Sequence, residues 1–289
     1  DISFYEDTGT TAKLFWDASA ESLGIGTSSV ESLLTIDKDV STAYDSTDDS
    51  AQRSNTNTLL LKNEDGTANS FAQIAFDLAG SGQSIARIVG LNDGTSSSAL
   101  AFVTEGSNTK REVMRLDGSG NVGIGTSSPD TMLHLSDTLG GAVLRLERND
   151  TAIVATDQYG AIEFEGQDAN AGANGVRASM RAIAEASVGQ TSLTFSTAGS
   201  SASEAERMRI DSSGQVGIGT SSPARQFHLH DSSASYLHLT NGTTGSTAND
   251  GASISMAGTS LQISNRENGV LQMYTNGSER MRIDASGLV

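Results

Sequence analysis

The feature that most constrains this chain is a phrase that recurs along it. "REVMRLDGSGNVGIGTSSP" covers residues 111–129, "ERMRIDSSGQVGIGTSSP" covers residues 206–223, and "ERMRIDASGLV" covers residues 279–289. Near the N-terminus, "AKLFWDASAESLGIGTSS" (residues 12–29) holds the same place. Internal similarity of this kind is typical of architectures built from repeated structural units. The sequence therefore predicts a tandem array of equivalent modules.

Short runs of alternating apolar and polar residues fill the intervals between these phrases. Each "GIGTSS" is followed by one run ("SLLTID", "TMLHLS", "RQFHLH") and then by another ("TLLLKN", "VLRLER", "YLHLTN"). Three further runs follow in each copy, and Asn-Gly or Asp-Gly dipeptides suited to tight turns lie among them. Alternation with a period of two indicates half-buried β-strands. We predict an all-β fold of tandem β-rich repeat modules.

One segment tests this prediction, because "VRASMRAIAEAS" (residues 176–187) is rich in Ala and Arg and would suit a helix. Its counterpart in the next copy, "LQISNRENG", would not. Since local helix propensity is a weak guide and repeats share one fold, we predict a strand here as well.

The recurring phrase itself is interpreted as a strand, a turn and a connector. Alternation places Met208 and Ile210 on one side of the strand and Arg209 on the other, and Asp-Ser-Ser-Gly then turns the chain. Pro223 disfavours continued strand pairing and marks the start of the next unit. The predicted modules are residues 1–29 (the end of a preceding repeat), 30–128, 129–222 and a shorter 223–289. The signature positions are Met114, Asp117, Gly123, Gly125, Pro129, Met208, Asp211, Gly217, Gly219, Pro223, Met281 and Asp284.

Composition limits the classes of function. Apolar residues make up 36% and aromatic residues 5% of the 289 residues, so one chain supplies a thin core, which partner chains would complete. The net charge of -17 disfavours binding to nucleic acid and to anionic membranes. There are no cysteines for disulfides or thiolate metal sites, and no apolar run is long enough to span a bilayer. The chain starts without Met or a signal peptide, and we interpret it as an excerpt of a longer protein.

"GSGNVG" (residues 118–123) matches the glycine pattern of dinucleotide-binding loops. Such a loop must lie between a strand and a helix, whereas here Thr-Ser-Ser-Pro and another strand follow. We interpret it as a set of turn residues and predict no cofactor. The Asp-rich stretch "DSTDDSAQ" (residues 45–52) lacks the spacing of an EF-hand loop and is interpreted as a solvated loop.

Two pairs of side chains are weak candidates for chemistry. His228 and His230 lie on one side of a predicted strand, where three chains meeting on an axis would offer six nitrogens to a metal. Glu163 and Glu165 could serve as paired carboxylates for glycoside hydrolysis. The position of His228 is His134 in one other copy but Thr35 in another, and the positions of the Glu pair carry other residues in the other copies. Both observations favour solvated strand faces. We predict no catalytic site and no enzyme.

The phrase "RMRIDSSGQVGIGTSSP" with its following "LHL"-type strand resembles a repeat found in bacteriophage tail fibres and related virion appendages. The resemblance covers most of the chain. It implies an elongated homotrimeric fibre in the virion, outside the cell, with three chains side by side along a three-fold axis. It also implies a structural role in host attachment, with other virion tail proteins and a host surface glycan as partners. In many relatives a self-cleaving chaperone domain follows such repeats.

Two alternative functions stay open from the sequence. A tailspike that depolymerises polysaccharide would need a carboxylate cluster in an aromatic-lined groove, and aromatic residues are scarce here. A bacterial extracellular adhesin or surface filament could be built from similar units. The segments flanking this sequence would separate these possibilities, because a signal peptide indicates secretion and a virion-docking segment indicates a phage.

Overall fold

Short β-strands form every regular element that the computed structural model describes. It describes residues 1–5, 12–37, 59–79, 84–94, 97–168, 174–186, 189–199 and 203–289. These ranges contain strands and no helix, which confirms the all-β prediction. They contain no helix long and apolar enough to cross a lipid bilayer. The Asp-rich stretch 45–52 lies outside the described residues.

The chain divides into two compact units, Asp1–Val143 and Leu144–Val289. The first unit contains a four-stranded sheet and a six-stranded sheet, each in sequential strand order. The strands of the four-stranded sheet are β1 (Ile2–Tyr5), β2 (Ala12–Asp17), β3 (Ser22–Ile25) and β4 (Leu34–Ile36). Those of the six-stranded sheet are β5 (Phe71–Asp77), β6 (Ile85–Gly94), β7 (Ser97–Gly106), β8 (Thr109–Leu116), β9 (Val122–Ile124) and β10 (Leu133–Leu135).

The second unit repeats the six-stranded sheet and then departs from it. The second six-stranded sheet contains β11 (Gln158–Gln167), β12 (Asn174–Ala184), β13 (Thr191–Ala198), β14 (Glu204–Ile210), β15 (Val216–Ile218) and β16 (Phe227–Leu229). A three-stranded sheet contains β17 (Ala234–Leu239), β18 (Ala252–Ala257) and β19 (Ser260–Asn265). A separate hairpin contains β20 (Leu271–Thr275) and β21 (Ser278–Ile283).

The Ala- and Arg-rich segment whose composition would suit a helix forms a strand, as predicted. Residues 174–184 form β12, which pairs with β11 on one side and β13 on the other. Pairing on both sides satisfies the backbone groups of this Ala- and Arg-rich segment, so the sheet overrides its local preference for a helix.

Two other predicted strands are absent. "VLRLER" (residues 143–148) and the described part of "TLLLKN" (residues 59–63) join no ladder, whereas their counterpart "YLHLTN" supplies most of β17. The sequence pattern is similar in all three copies. A strand also needs a neighbour to accept its backbone hydrogen bonds, and only β17 has one, in β18.

Antiparallel hairpins account for most of the pairing, with one exception in each copy. The last strand of each complete phrase pairs in parallel with the strand that follows its connector: β3 with β4, β9 with β10 and β15 with β16. The boundaries proposed at 29/30, 128/129 and 222/223 fall within these connectors and stay a prediction. The strands that flank each connector belong to one sheet.

Candidate interaction surface

Each six-stranded sheet carries a continuous row of large apolar side chains on one face. Cross-strand register places one such residue from every strand in line. The row in the second six-stranded sheet is Ile162, Met180, Phe195, Met208, Ile218 and Leu229. In the first six-stranded sheet it is Ile74, Ile88, Phe102, Met114, Ile124 and Leu135. In the N-terminal sheet it is Phe4, Leu14, Ile25 and Ile36.

These apolar faces are open to solvent in the single chain. Ile162 is 46% exposed and Phe164, two residues along the same strand, is 57% exposed. The buried apolar residues of the described chain are small, namely Ala12, Val89, Ala99, Ala101 and Ala184. Large apolar side chains on these faces are therefore in contact with water in the single chain.

The opposite face of the second six-stranded sheet is closed by the chain's own charged side chains. Thr194 of β13 lies in register between Arg181 and Arg209 and is 4% exposed. Arg181 forms ion pairs with Glu163 at 2.9 Å and with Glu204. Hydrogen bonding to Glu163 raises the pKa of Arg181. Thr194 is therefore buried within the single chain, between two arginines that form ion pairs.

A β-bulge recurs in every copy immediately before the Met position of the phrase. In β14, Met208 lies opposite Phe195 and Glu206 lies opposite Ser196, so Arg207 is the extra residue. The equivalent extra residues are Lys13, Val113 and Arg280. A bulge brings residues three apart in sequence onto one side of the strand.

The bulge allows a Glu–Arg ion pair, which is present in three copies of the phrase. Nε of Arg209 donates to Glu206 at 2.7 Å, and its NH2 group donates to the other carboxylate oxygen at 2.8 Å. Arg115 with Glu112 and Arg282 with Glu279 form the same two-pronged contact. Hydrogen bonding to the neighbouring Glu raises the pKa of each Arg. Two parallel bonds fix the orientation of the guanidinium group.

The sequence analysis missed the three glutamates. The signal was present, because Glu stands three residues before the Arg in "EVMR" and in both "ERMR" segments. Strict period-two alternation places Glu and Arg on opposite faces of a strand, and only the bulge brings them together.

The glycines of "GIG" are required by close backbone approaches. Gly219 has a positive φ of 74°, and a Cβ there would lie 2.1 Å from the carbonyl oxygen of His230. A Cβ on Gly217 would lie 2.6 Å from the carbonyl oxygen of Thr220 and 3.5 Å from Cβ of Pro223. Gly123 and Gly125 have equivalent contacts with Thr126, Ser136 and Pro129 in the preceding copy. These signature residues thus shape the connector that allows two successive strands to run parallel.

The Asp of the phrase organises the turn before the connector. One carboxylate oxygen of Asp117 accepts hydrogen bonds from the amides of Ser119 and Asn121, at 2.9 and 2.8 Å. Asp211 and Asp284 hold equivalent turns. The amide of Asn121 is the largest cause that lowers the pKa of Asp117. "GSGNVG" lies in this turn and the first residues of β9, which is followed by strand β10.

The remaining candidate residues have partners within the chain. Nδ1 of His228 accepts a hydrogen bond from the amide of Ala224 at 3.2 Å, and its ring lies 6.2 Å from that of His230. Within the described ranges no group of three His, Cys, Asp or Glu residues is placed to hold a metal. Glu163 pairs with Arg181, and Glu165 accepts a hydrogen bond from Gln167 at 2.9 Å.

An apolar cleft lies where β16 meets the three-stranded sheet. Its volume is about 270 Å³. Its apolar lining includes Phe227, Leu229, Leu237, Ile254, Met256 and Leu261. Leu229, the last residue of the row, lines this cleft together with apolar side chains of the three-stranded sheet. The open apolar surface therefore continues from the second six-stranded sheet onto the three-stranded sheet.

The fold and its surfaces define an all-β protein of repeated sheets with open apolar faces. Comparison with protein-family models and with curated proteins returned no match. Two solved structures are similar in part. One is the carboxy-terminal domain of the bacteriophage T5 L-shaped tail fibre with its intra-molecular chaperone domain (11% identity, TM-score 0.23, 65% of this chain and 68% of that chain). The other is the carboxy-terminal domain of the same fibre (11% identity, TM-score 0.23, 67% of this chain and 92% of that chain).

Proposed function

We propose that this chain is a structural component of a bacteriophage tail fibre, in which three copies form a shaft that supports attachment to the host cell. The observation that carries the proposal is the open apolar row on each sheet. Apolar surface of this extent on a soluble protein marks an interaction site.

The repeated plan of the sheets favours a shaft. Equivalent bulges, turns and connectors recur along the sequence, so equivalent open faces recur with them. Arrays of this kind gain stability from contacts between neighbouring units. Three identical chains would cover the open faces, and the acidic net charge of -17 would keep the outer surface hydrated. The resemblance of the repeated phrase to tail-fibre repeats supports the same assignment.

The proposal includes a role outside the cell, as part of the virion and without enzymatic activity. The only carboxylate pair that the sequence suggested is occupied, because Glu163 is held by Arg181 and Glu165 by Gln167. Host surface glycan and other tail proteins are the proposed partners. Incubation of the purified chain with host polysaccharide should release no reducing ends, and release of oligosaccharides would favour the depolymerase alternative.

The absolute mass of residues 1–289 in solution tests the assembly. Light scattering on a sizing column should give roughly three times 29.9 kDa, with an elongated hydrodynamic shape. A compact monomer would contradict the proposal. In that case the repeats would form a self-contained adhesin, and an alternative cover for the apolar faces would be required.

A further inference from the structure

In the third copy of the repeat, two strands that follow one another in sequence, β19 and β20, do not pair with each other. In the two preceding copies, the equivalents of β19 and β20 lie side by side in one sheet, as β6 with β7 and β12 with β13. Residues 203–289 are all described, and within them β19 pairs only with β18 and β20 only with β21. Each of these two strands therefore has one free edge.

The earlier copies define which residues would meet across this gap. Ile263 lies opposite Ile254, as Met180 lies opposite Ile162 in the second six-stranded sheet. Met273 lies opposite Met281, as Phe195 lies opposite Met208. Because Met180 and Phe195 are direct partners, the equivalent partners are Ile263 and Met273.

The connection between the two strands is short, and hydrogen bonds hold its first residues next to β18. The amide of Arg266 donates to the carbonyl of Gly251 at 2.9 Å, and the amide of Gly251 donates to the Glu267 carboxylate at 2.5 Å. The side chain of Asn265 donates to the carbonyl of Val270 at 3.2 Å. The bond from Arg266 extends the β18–β19 ladder by one residue, as the bond from the Ala184 amide to the Asp157 carbonyl extends the β11–β12 ladder. In the preceding copy a bond from the Glu185 amide to the Gln190 carbonyl then leads from β12 into β13, whereas in residues 203–289 the ladders do not join β19 to β20.

We propose that the β20–β21 hairpin of one chain pairs with the β19 edge of a second copy of the chain, with Ile263 opposite Met273 of that copy. This inference rests on the proposed self-assembly and specifies one of its contacts. Each chain offers one free β19 edge and one free β20 edge, so the contact is heterologous and can close into a ring. Three such contacts would close a trimer.

Side-chain exposure favours a second copy as the occupant. Ile263 is 52% exposed and Met273 is 48% exposed, and both belong to the apolar face that the assembly is proposed to bury. Unpaired strand edges are sites of uncontrolled association unless they are covered. The strand with the pattern and register for the β19 edge is β20 of the repeat itself, which a trimer would hold at high effective concentration.

The absence of native cysteine allows a clean test. Two chains with different affinity tags, one carrying Ile263→Cys and the other Met273→Cys, are co-expressed and oxidised. Directly opposed residues of paired strands have Cα atoms about 4.5–5.5 Å apart, which a disulfide spans. We expect a disulfide-linked pair that contains both tags. Met180→Cys and Phe195→Cys, treated in the same way, are the matched control and should give no mixed pair, because these residues meet within one chain.

Two results would overturn the inference. One is the absence of the mixed pair, and the other is an intrachain disulfide as the main product of the doubly substituted chain. Hydrogen exchange on the unsubstituted protein guards against misfolded variants: the β19 amides that do not pair with β18 should be protected, and rapid exchange there would also overturn the proposal. Light scattering separates the two proposals, because a trimer without the crosslink refutes only the strand pairing, whereas a monomer refutes the trimer as well.

Discussion

The amide of Gly219 donates a hydrogen bond to the carbonyl of Arg207 at 3.0 Å, and Arg207 is the bulged residue of β14. The same bond joins Gly125 to Val113 and Gly26 to Lys13. It connects the two ends of the recurring phrase, because the bulge precedes the Met and the glycine belongs to "GIG". The bulge, the ion pair and the connector are therefore parts of one local structure.

Substitution of Gly219 should have a larger destabilising effect than substitution of another glycine with a similar positive φ. Gly219→Ala forces a side chain into the left-handed region, at about 1–2 kcal/mol, and adds a collision with the carbonyl of His230. We expect loss of protection at the His230 amide, which is bonded to the Ile218 carbonyl at 2.9 Å. Hydrogen exchange followed by mass spectrometry or NMR measures this directly.

Gly214→Ala is the matched control for that prediction. Gly214 has a φ of 76°, close to that of Gly219, but a Cβ there would meet nothing within 4 Å. It should therefore show only the cost of the left-handed backbone. Equal effects of the two substitutions would mean that the close approach to His230 does not constrain the connector.

Removal of the charge at Arg209 should loosen the closed face of the second six-stranded sheet. The Arg209 side chain is 16% exposed and makes a two-pronged contact with Glu206. Arg209→Gln should lower the free energy of local opening at β13 and β14 by about 1 kcal/mol, the upper end for ion pairs near a surface. Hydrogen exchange at the β13 amides reports this opening.

The equivalent substitution in the third copy is the control. Arg282 makes the same contact with Glu279, but its side chain is 51% exposed. Arg282→Gln should therefore have a smaller effect, and the effect at Arg209 should be less sensitive to added salt because burial reduces screening. A larger effect of the Arg282 substitution would show that the stabilisation by this ion pair does not increase with burial of the Arg side chain.

Acid should open the turn at Asp117. Hydrogen bonds from the backbone, first from Asn121, lower the pKa of Asp117 below its ordinary value of 3.8. The ionised carboxylate stabilises the turn, so this contribution is complete above the unfolded value and is lost as the pH falls through the lower folded value. NMR or exchange at the Asn121 amide should show opening only below about pH 4.

Asp117→Asn separates the charge from the hydrogen bond. The amide oxygen of Asn can still accept from the backbone, but the side chain does not titrate. The turn should then show no acid transition of its own. A transition of the same size in the Asn variant would assign the acid effect to another group.

A charge within the apolar row should dissociate the assembly. Ile162→Asp places a carboxylate among side chains that the proposed trimer buries, and an unpaired buried charge is strongly unfavourable. Light scattering should show a fall from three chains per particle toward one. Gln167→Asp adds the same charge at the exposed end of the same strand and should leave the mass unchanged. A stable trimer of the Ile162 variant would place this face outside the interface.

The alternating pattern determined much of the fold from the sequence alone. It located β12 against local helix propensity and placed Met208 and Ile210 on one face with Arg209 on the other. It could do so because period-two alternation is a local property of a strand with unlike faces. The turn at Asp211 was also predictable, because Asp and Gly form such turns through bonds to nearby backbone.

Only the tertiary structure decided which strands pair and which face is closed. "VLRLER" and "YLHLTN" look alike, yet only the second supplies a strand, because pairing depends on a partner distant in sequence. The contact of Glu206 with Arg209 depends on the bulge, which shifts the register by one residue and is invisible to strict alternation. Alternation also shows that a strand has two unlike faces without showing which is covered. In the second six-stranded sheet, Arg181 and Arg209 form ion pairs on the polar face, whereas the apolar face is open to solvent in the single chain.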